Sequence, residues 1–345
     1  MIPIRQLGVL TGGGDYPGLN PVIRAVVRRA IQSKITVVGI RNGWKGLVNA
    51  DTIPLNLQAV SGILPKGGTI LGTSRTNPYK KPEHLAALKE NLKSLELDAL
   101  VAVGGEDTLG VATKLSKEGV KVIGVPKTID NDLSATDFTF GFDTAVNIAM
   151  EAIDRLHTTA ESHHRILVAE VMGRHAGWIA TYAGIAGGAD VILIPEEAID
   201  IDNVCELIKH RHARGKDFSI VVVAEGAKLK ENSDVTLTQK LDEFGHVRLG
   251  GIGQLLSELI EKKTGFETRV TVLGHIQRGG SPTAFDRVLG TRFGVKAIDL
   301  VKENKFGQMV SLQGNKIVGV PIEMGTGTLK TVDPEFFKVA KVFFG

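Results

Sequence analysis

Gln6-Leu-Gly-Val-Leu-Thr-Gly-Gly-Gly-Asp-Tyr-Pro-Gly-Leu-Asn20 opens on a short apolar strand, passes through three glycines and enters a helix. The run Gln6–Thr11 reads as a buried strand. Gly18–Ser33 is an amphipathic helix with Leu19, Val22, Ile23, Val26 and Ala30 on one face. A strand that feeds a helix through a glycine turn is the first half of a βαβ unit, and the pattern recurs along the chain. Ile35–Ile40, Ala99–Val103, Lys121–Val125, Arg165–Met172, Val191–Ile194, Ser219–Ala224 and Arg269–Leu273 also read as buried strands. Between them lie amphipathic stretches such as His84–Leu95, Asp143–Thr159 and Asn203–Ala213. This alternation predicts parallel sheets with helices on both faces.

The 345 residues suffice for two α/β domains, each with its own core. No apolar run approaches the roughly 20 residues that cross a bilayer, so no membrane partner is expected. Met1-Ile-Pro-Ile-Arg-Gln lacks a signal-peptide layout. The lone Cys205 excludes an intramolecular disulfide and a cysteine-based metal site, and it suits a reducing compartment. A net charge of +3 spread along the chain gives no reason to expect nucleic acid, so anion binding must come from local clusters.

In open parallel sheets, ligands bind at the carboxyl ends of the strands. Chemically loaded residues recur at those positions. Thr11-Gly-Gly-Gly-Asp15 is either a tight turn or a phosphate loop whose backbone approaches the anion at a helix start. It is neither of the usual nucleotide fingerprints, GxxxxGK[ST] or GxGxxG. Gly104-Gly-Glu-Asp-Thr108 places two carboxylates where they serve either as helix N-terminal charges or as Mg²⁺ ligands beside phosphates. Pro126-Lys-Thr-Ile-Asp-Asn-Asp132 concentrates a Lys, a Thr, two Asp and an Asn directly after an apolar strand. A carboxylate there suits a general base toward a hydroxyl. Arg75, Arg165, Arg174, Arg269 and Arg278 gather at strand ends and glycine turns, a pattern suited to gripping phosphate. Glu225 ends a Val-rich strand and is either an ion-pair partner or an acceptor for sugar hydroxyls. Together these residues describe magnesium-dependent phosphoryl transfer to a small, phosphorylated, hydroxyl-bearing acceptor.

The strings Leu10-Thr-Gly-Gly-Gly-Asp-Tyr-Pro-Gly-Leu-Asn20, Thr128-Ile-Asp-Asn-Asp132, Met172-Gly-Arg174 and Gly274-His-Ile-Gln-Arg-Gly-Gly280 resemble, in order, the phosphofructokinase family. The resemblance runs from about Leu7 to about Leu300. It implies two doubly wound, mostly parallel-sheet α/β domains with the active site in the cleft between them. A phosphoryl-donor domain would span 1–141 plus 277–305, and a sugar-phosphate domain 142–276 plus 306–345. It also implies a cytoplasmic, Mg²⁺-dependent kinase of glycolysis and gluconeogenesis acting on fructose 6-phosphate.

Carried over by position, Asp130 would be the base for the 1-hydroxyl, with Thr128 beside it. Glu106 would hold Mg²⁺, with Asp132 assisting. Met172 and Gly173 would line the sugar pocket, and Arg174 would lie between the substrates. Arg165, Arg269, His275 and Arg278 would hold the 6-phosphate, and Glu225 the ring hydroxyls. Gly13 and Arg75 would meet the donor phosphates. In the family Arg165 and Arg269 serve a neighbouring subunit's site, which implies a homodimer or homotetramer with shared sites.

ATP-using bacterial members carry Gly-Gly-Asp-Gly-Ser and Pro-Gly-Thr-Ile-Asp where this chain has Gly-Gly-Glu-Asp-Thr108 and Pro-Lys-Thr-Ile-Asp130. Asp107 fills and repels the place of an α-phosphate, while Lys127 adds a charge for pyrophosphate and the departing phosphate. The expected donor is therefore pyrophosphate, with an ATP-dependent 6-phosphofructokinase as the alternative. The excursion Lys228–Arg248 is expected to be mostly polar and irregular.

Overall fold

The computed structural model describes residues 4–230, 240–241, 247–248 and 250–345. Its elements run in chain order as β1 (Gln6–Thr11), α1 (Leu19–Gln32), β2 (Thr36–Ile40), α2 (Trp44–Val48), β3 (Thr52–Leu55), α3 (Pro82–Ser94), β4 (Ala99–Gly104), α4 (Glu106–Lys117), β5 (Val122–Thr128) and β6 (Phe140–Gly141). There follow α5 (Phe142–His163), β7 (Ile166–Val171), α6 (Trp178–Ala186), β8 (Val191–Leu193), α7 (Ile201–Ala213), β9 (Ser219–Ala224), β10 (Lys240–Leu241), β11 (Val247–Arg248), α8 (Ile252–Thr264) and β12 (Thr268–Val272). The chain closes with α9 (Ala284–Lys302), β13 (Gln308–Gln313), β14 (Lys316–Pro321) and α10 (Pro334–Lys341).

These elements form two units. The first contains Met1–Ile129, Leu133–Thr144 and Arg278–Leu329; the second contains Asp130–Asp132, Ala145–Gln277 and Lys330–Gly345. The first sheet has the order β14-β13-β5-β4-β1-β2-β3, with β6 added beside β5. β1 lies parallel to both β2 and β4, so the chain reverses its direction of growth at β1. In doubly wound sheets that reversal is where ligands settle. Two apolar layers flank the sheet. One contains Val9, Val22, Ile23, Val101, Ile123 and Phe293, and the other Leu10, Leu100, Ala102, Leu109 and Leu115. Gly290 and Gly294 let α9 lie against α1, since a side chain at Gly294 would meet the Val22 carbonyl at 2.6 Å.

The second unit has a parallel sheet of order β12-β7-β9-β8, with a core that includes Ile166, Val168, Val221, Val223, Leu256 and Ile260. Glu170, buried within β7, accepts from the backbone N–H groups of Gly251 (3.2 Å) and Gly253 (2.7 Å), fixing the start of α8. A buried carboxylate at a helix N-terminus satisfies orphan donors and complements the dipole.

Every sequence-expected strand is present, and both sheets are mostly parallel. The antiparallel pairs β2–β3 and β13–β14 sit at the edges of the first sheet. Two expected boundaries are corrected, the first being that Asp130–Asp132, expected in the phosphoryl-donor domain, pack with the second unit. Residues 306–329 belong with the first unit rather than with the sugar-phosphate domain, because β13 pairs with β5 and carries β14 with it. Within Lys228–Arg248, the described β10 and β11 pair antiparallel, and the remaining part of that expectation from 231 onward lies outside the described residues.

Asp286 staples two helix starts together in the first unit. It is fully buried, and its Oδ2 accepts from the Thr144 N–H (2.8 Å) and hydroxyl (2.5 Å) at the head of α5. Thr283 caps α9 and donates to Asp143 at 2.5 Å. Burial pushes the Asp286 carboxyl up to about 6, against the downward pull of the Thr144 donors. The folded protein therefore holds this proton to higher pH than the unfolded chain does. Ionisation weakens the fold, so stability falls as pH rises from about 4 to about 6 and is level above that. Asp286→Asn should remove this component, which is on the order of 3 kcal/mol for a two-unit shift. Thermal unfolding of both proteins across pH 4–7 checks it; a difference independent of pH would contradict the assignment.

Candidate active site

Glycine loops meet one threonine at the switch point of the first sheet. Thr108, buried in the first turn of α4, packs where side chains on Gly12 and Gly104 would otherwise stand. A Cβ at Gly12 would lie 2.5 Å from Thr108 Oγ1, and one at Gly104 closer still to the same side chain. The ends of β1 and β4 are thus pressed together, joined by the bond from Gly12 N–H to the Val103 carbonyl at 2.9 Å. Gly13 adopts φ +81°, which a glycine accommodates without a steric penalty. Its N–H reaches the Ser74 carbonyl at 3.3 Å, and its own carbonyl accepts from Thr73 Oγ1 at 2.5 Å. The segment that carries the exposed Arg75 is clamped to the loop in this way.

Lys127 lies beneath this loop with only 1% of its surface exposed. It is the penultimate residue of β5, whose Pro126 is in register with Gly104 at the end of β4. Its Nζ donates to the Gly14 carbonyl and stands 4.4 Å from the centroid of the Tyr16 ring. A Cβ on Gly13 would sit 3.4 Å from the same nitrogen. Glu106 and Asp107, exposed in the first turn of α4, occupy the neighbouring strand end. Thr128 is buried and its carbonyl accepts from Thr139 at 2.8 Å. Arg278 completes this group, its guanidinium carbon 5.4 Å from the Tyr16 centroid.

The second unit assembles its own set at the carboxyl ends of β7, β9 and β12. The Arg174 N–H donates to Glu225 at 3.2 Å, and the Glu225 N–H donates to the Val171 carbonyl at 2.8 Å. Arg174 adopts φ +57°, and Gly226 permits its carbonyl to approach closer than any side chain would. The Met172 N–H donates at 2.8 Å to Gln277, which is fully buried in the 3₁₀ turn Gly274–Arg278 that bears His275. Met172, Gly173, Arg174, Glu225 and His275 therefore share one end of the sheet. Asp130 and Asp132 belong to this unit by their packing, and the Asp132 carbonyl accepts from the Lys330 N–H at 2.9 Å. Asp130 is 93% withdrawn from solvent, its exposure being 7%.

Arg165 and Arg269 are not brought to that end. They stand at the amino ends of β7 and β12, where both pair with Glu267, at 2.8 Å and 2.5 Å. Arg165 beside it holds the Glu267 carboxyl below the usual carboxylate range. From Arg165 to Met172 the extended chain covers roughly 23 Å at 3.3 Å per residue. Neither arginine reaches a sugar phosphate at the carboxyl ends of its own sheet.

Among the described residues, no three of His, Cys, Asp or Glu form a metal cage. Mg²⁺ commonly keeps waters and substrate phosphates as ligands and needs only one or two carboxylates from the protein.

Three contributors were not singled out from the sequence. Tyr16 lies under Lys127. Gln277 lies inside the Gly274–Gly280 motif, where its fully buried amide holds the Met172 N–H. Asn20, 1% exposed, donates from Nδ2 to the Lys66 (3.0 Å) and Gly67 (3.2 Å) carbonyls and accepts from the Ile70 N–H at 2.9 Å. A lone amide on the buried side of α1 was the available signal.

The phosphofructokinase family profile matches residues 6–301. A pyrophosphate--fructose 6-phosphate 1-phosphotransferase from Streptomyces coelicolor is 59% identical over 342 residues, covering 99% of this chain and all of that one. An ATP-dependent 6-phosphofructokinase from Mycobacterium leprae is 51% identical over 343 residues, again covering 99% and 100%. Among solved structures, phosphofructokinase from Saccharomyces cerevisiae matches with a TM-score of 0.81 at 32% identity. It covers 98% of this chain, which spans 46% of the yeast chain.

Asn20→Ala should strip the Lys66–Ile70 loop of three hydrogen bonds and lower stability by about 1–3 kcal/mol. Denaturant unfolding checks this, and an unchanged midpoint would mean that the loop is held by other contacts.

Proposed function

The chain belongs to the phosphofructokinase family, and from that premise we propose that it transfers a phosphoryl group from pyrophosphate to the 1-hydroxyl of fructose 6-phosphate. The products are fructose 1,6-bisphosphate and phosphate, and the reaction is reversible. The observation that carries the donor assignment is the burial of Lys127 beneath the Gly12–Gly14 loop, with Asp107 on the adjoining strand end. Phosphoryl transfer relies on positioning and charge stabilisation. A lysine under the loop meets a donor two phosphates long and stabilises the phosphate that leaves. The Asp107 carboxylate repels a third phosphate and so disfavours ATP. The relative named for ATP, at 51% identity, makes the donor the point that most needs testing.

Asp130 takes the proton of the attacking hydroxyl, and Thr128 flanks the reacting end. The Arg174 guanidinium neutralises the migrating group, while its backbone is fixed by Glu225. Glu225 and Met172 bound the sugar, and His275 and Arg278 hold its 6-phosphate. Gly13 and Arg75 hold the donor. Glu106, with Asp132, would hold Mg²⁺, which supplies charge neutralisation on phosphate oxygens. The position of Arg165 and Arg269 at the amino ends of their strands supports service to a second subunit's sugar phosphate, and hence a homodimer or homotetramer. The single cysteine suits a cytoplasmic enzyme, and among the described residues no helix is long and apolar enough to cross a membrane.

Asp130→Asn should lower kcat by on the order of 10²–10⁴-fold, a general-base contribution, with KM for fructose 6-phosphate little changed. Steady-state kinetics with near-normal turnover would refute its role. Asp107→Gly, alone and with Lys127→Gly, should weaken use of pyrophosphate and admit ATP. Unchanged donor preference in both variants would dismiss these two side chains as its determinants.

A further inference from the structure

Tyr16 touches the two cations that the proposed reaction assigns to different phosphates. The Lys127 Nζ is 4.4 Å, and the Arg278 guanidinium carbon 5.4 Å, from its ring centroid. Both fall within the roughly 6 Å over which an aromatic face attracts a cation. The ring is buried and wedged. A Cβ on Gly14 would lie 2.8 Å from Tyr16 Cζ and Oη, and one on Gly141 would lie 3.2 Å from Tyr16 Cβ. Those two glycines leave a slot that the tyrosine fills, which limits how far its ring can shift.

Two like charges beside one ring repel each other, and something must hold them. A carboxylate here would pair with both and cancel the charge that the substrates' phosphates require. A π face attracts cations through its quadrupole without adding a negative charge of its own. We propose that Tyr16 is a positioning residue, holding Lys127 for the donor and Arg278 for the sugar 6-phosphate in one fixed arrangement. This inference rests on the roles given to those two cations in the proposed function.

Substituting Tyr16→Phe, and separately placing pentafluorophenylalanine at position 16, tests it. The two rings have closely similar shapes, but fluorination reverses the sign of the ring's electrostatic face. The Phe enzyme should keep KM for both substrates within about threefold of the native enzyme. The fluorinated enzyme should raise KM for pyrophosphate and for fructose 6-phosphate together, each by about three- to thirtyfold relative to the Phe enzyme. A purely structural role would lower the active fraction or the melting temperature and leave both constants alone. Calorimetric titration with pyrophosphate and with inorganic phosphate provides a second readout that does not depend on turnover, and binding of both should weaken in the fluorinated protein. Equal constants and equal binding in the two proteins would overturn the inference. Native enzyme inactive toward fructose 6-phosphate with either donor would instead refute the proposed function, and the titrations would still judge the ring.

Discussion

A lysine with 1% of its surface in contact with water needs compensating groups around it, because a buried charge without them is strongly unfavourable. For Lys127 those groups include the Gly14 carbonyl and the Tyr16 ring, and both are available only because the chain leaves β1 through consecutive glycines. Thr108 presses the two glycine loops together, Asn20 ties down the 66–70 segment, and Ser74 and Thr73 clamp Gly13. The order β5-β4-β1 places all three strand ends side by side. Much of the first unit's local architecture can be understood as the housing of that one cation.

The second unit solves a different problem with neutral and acidic groups. Its strand ends carry Arg174, Met172 and the turn that bears His275, and these are fixed through backbone bonds to Glu225 and Gln277. Glu170 secures the helix that follows the 231–249 stretch. Arg174 and Met172 are thereby held through their main chains. Pre-organisation of this kind is what phosphoryl transfer demands, since the chemistry depends mainly on placement and charge.

Much of this was legible in the sequence because parallel strands buried on both faces are written as continuous β-branched runs, and glycines mark their ends. β1, β4, β5, β7 and β9 could be found that way, and so could Gly13, Asp107, Lys127, Asp130 and Arg174. Edge elements were harder to read. β3 and β14 are antiparallel edge strands and only partly buried, so 306–329 carried no clear sign of which sheet it joins. The roles of Tyr16 and Gln277 come from neighbours distant in sequence, which no local pattern records. Arg165 and Arg269 read as strand-end arginines, but they lie at the amino ends of their strands, opposite the end that carries Arg174 and His275.

The most direct test of the account is the donor preference of the unmodified enzyme, measured with fructose 6-phosphate and Mg²⁺ in a coupled assay for fructose 1,6-bisphosphate. A chain built around Lys127 and Asp107 should show a kcat/KM for pyrophosphate well above that for ATP. Efficient turnover of ATP with little use of pyrophosphate would contradict it.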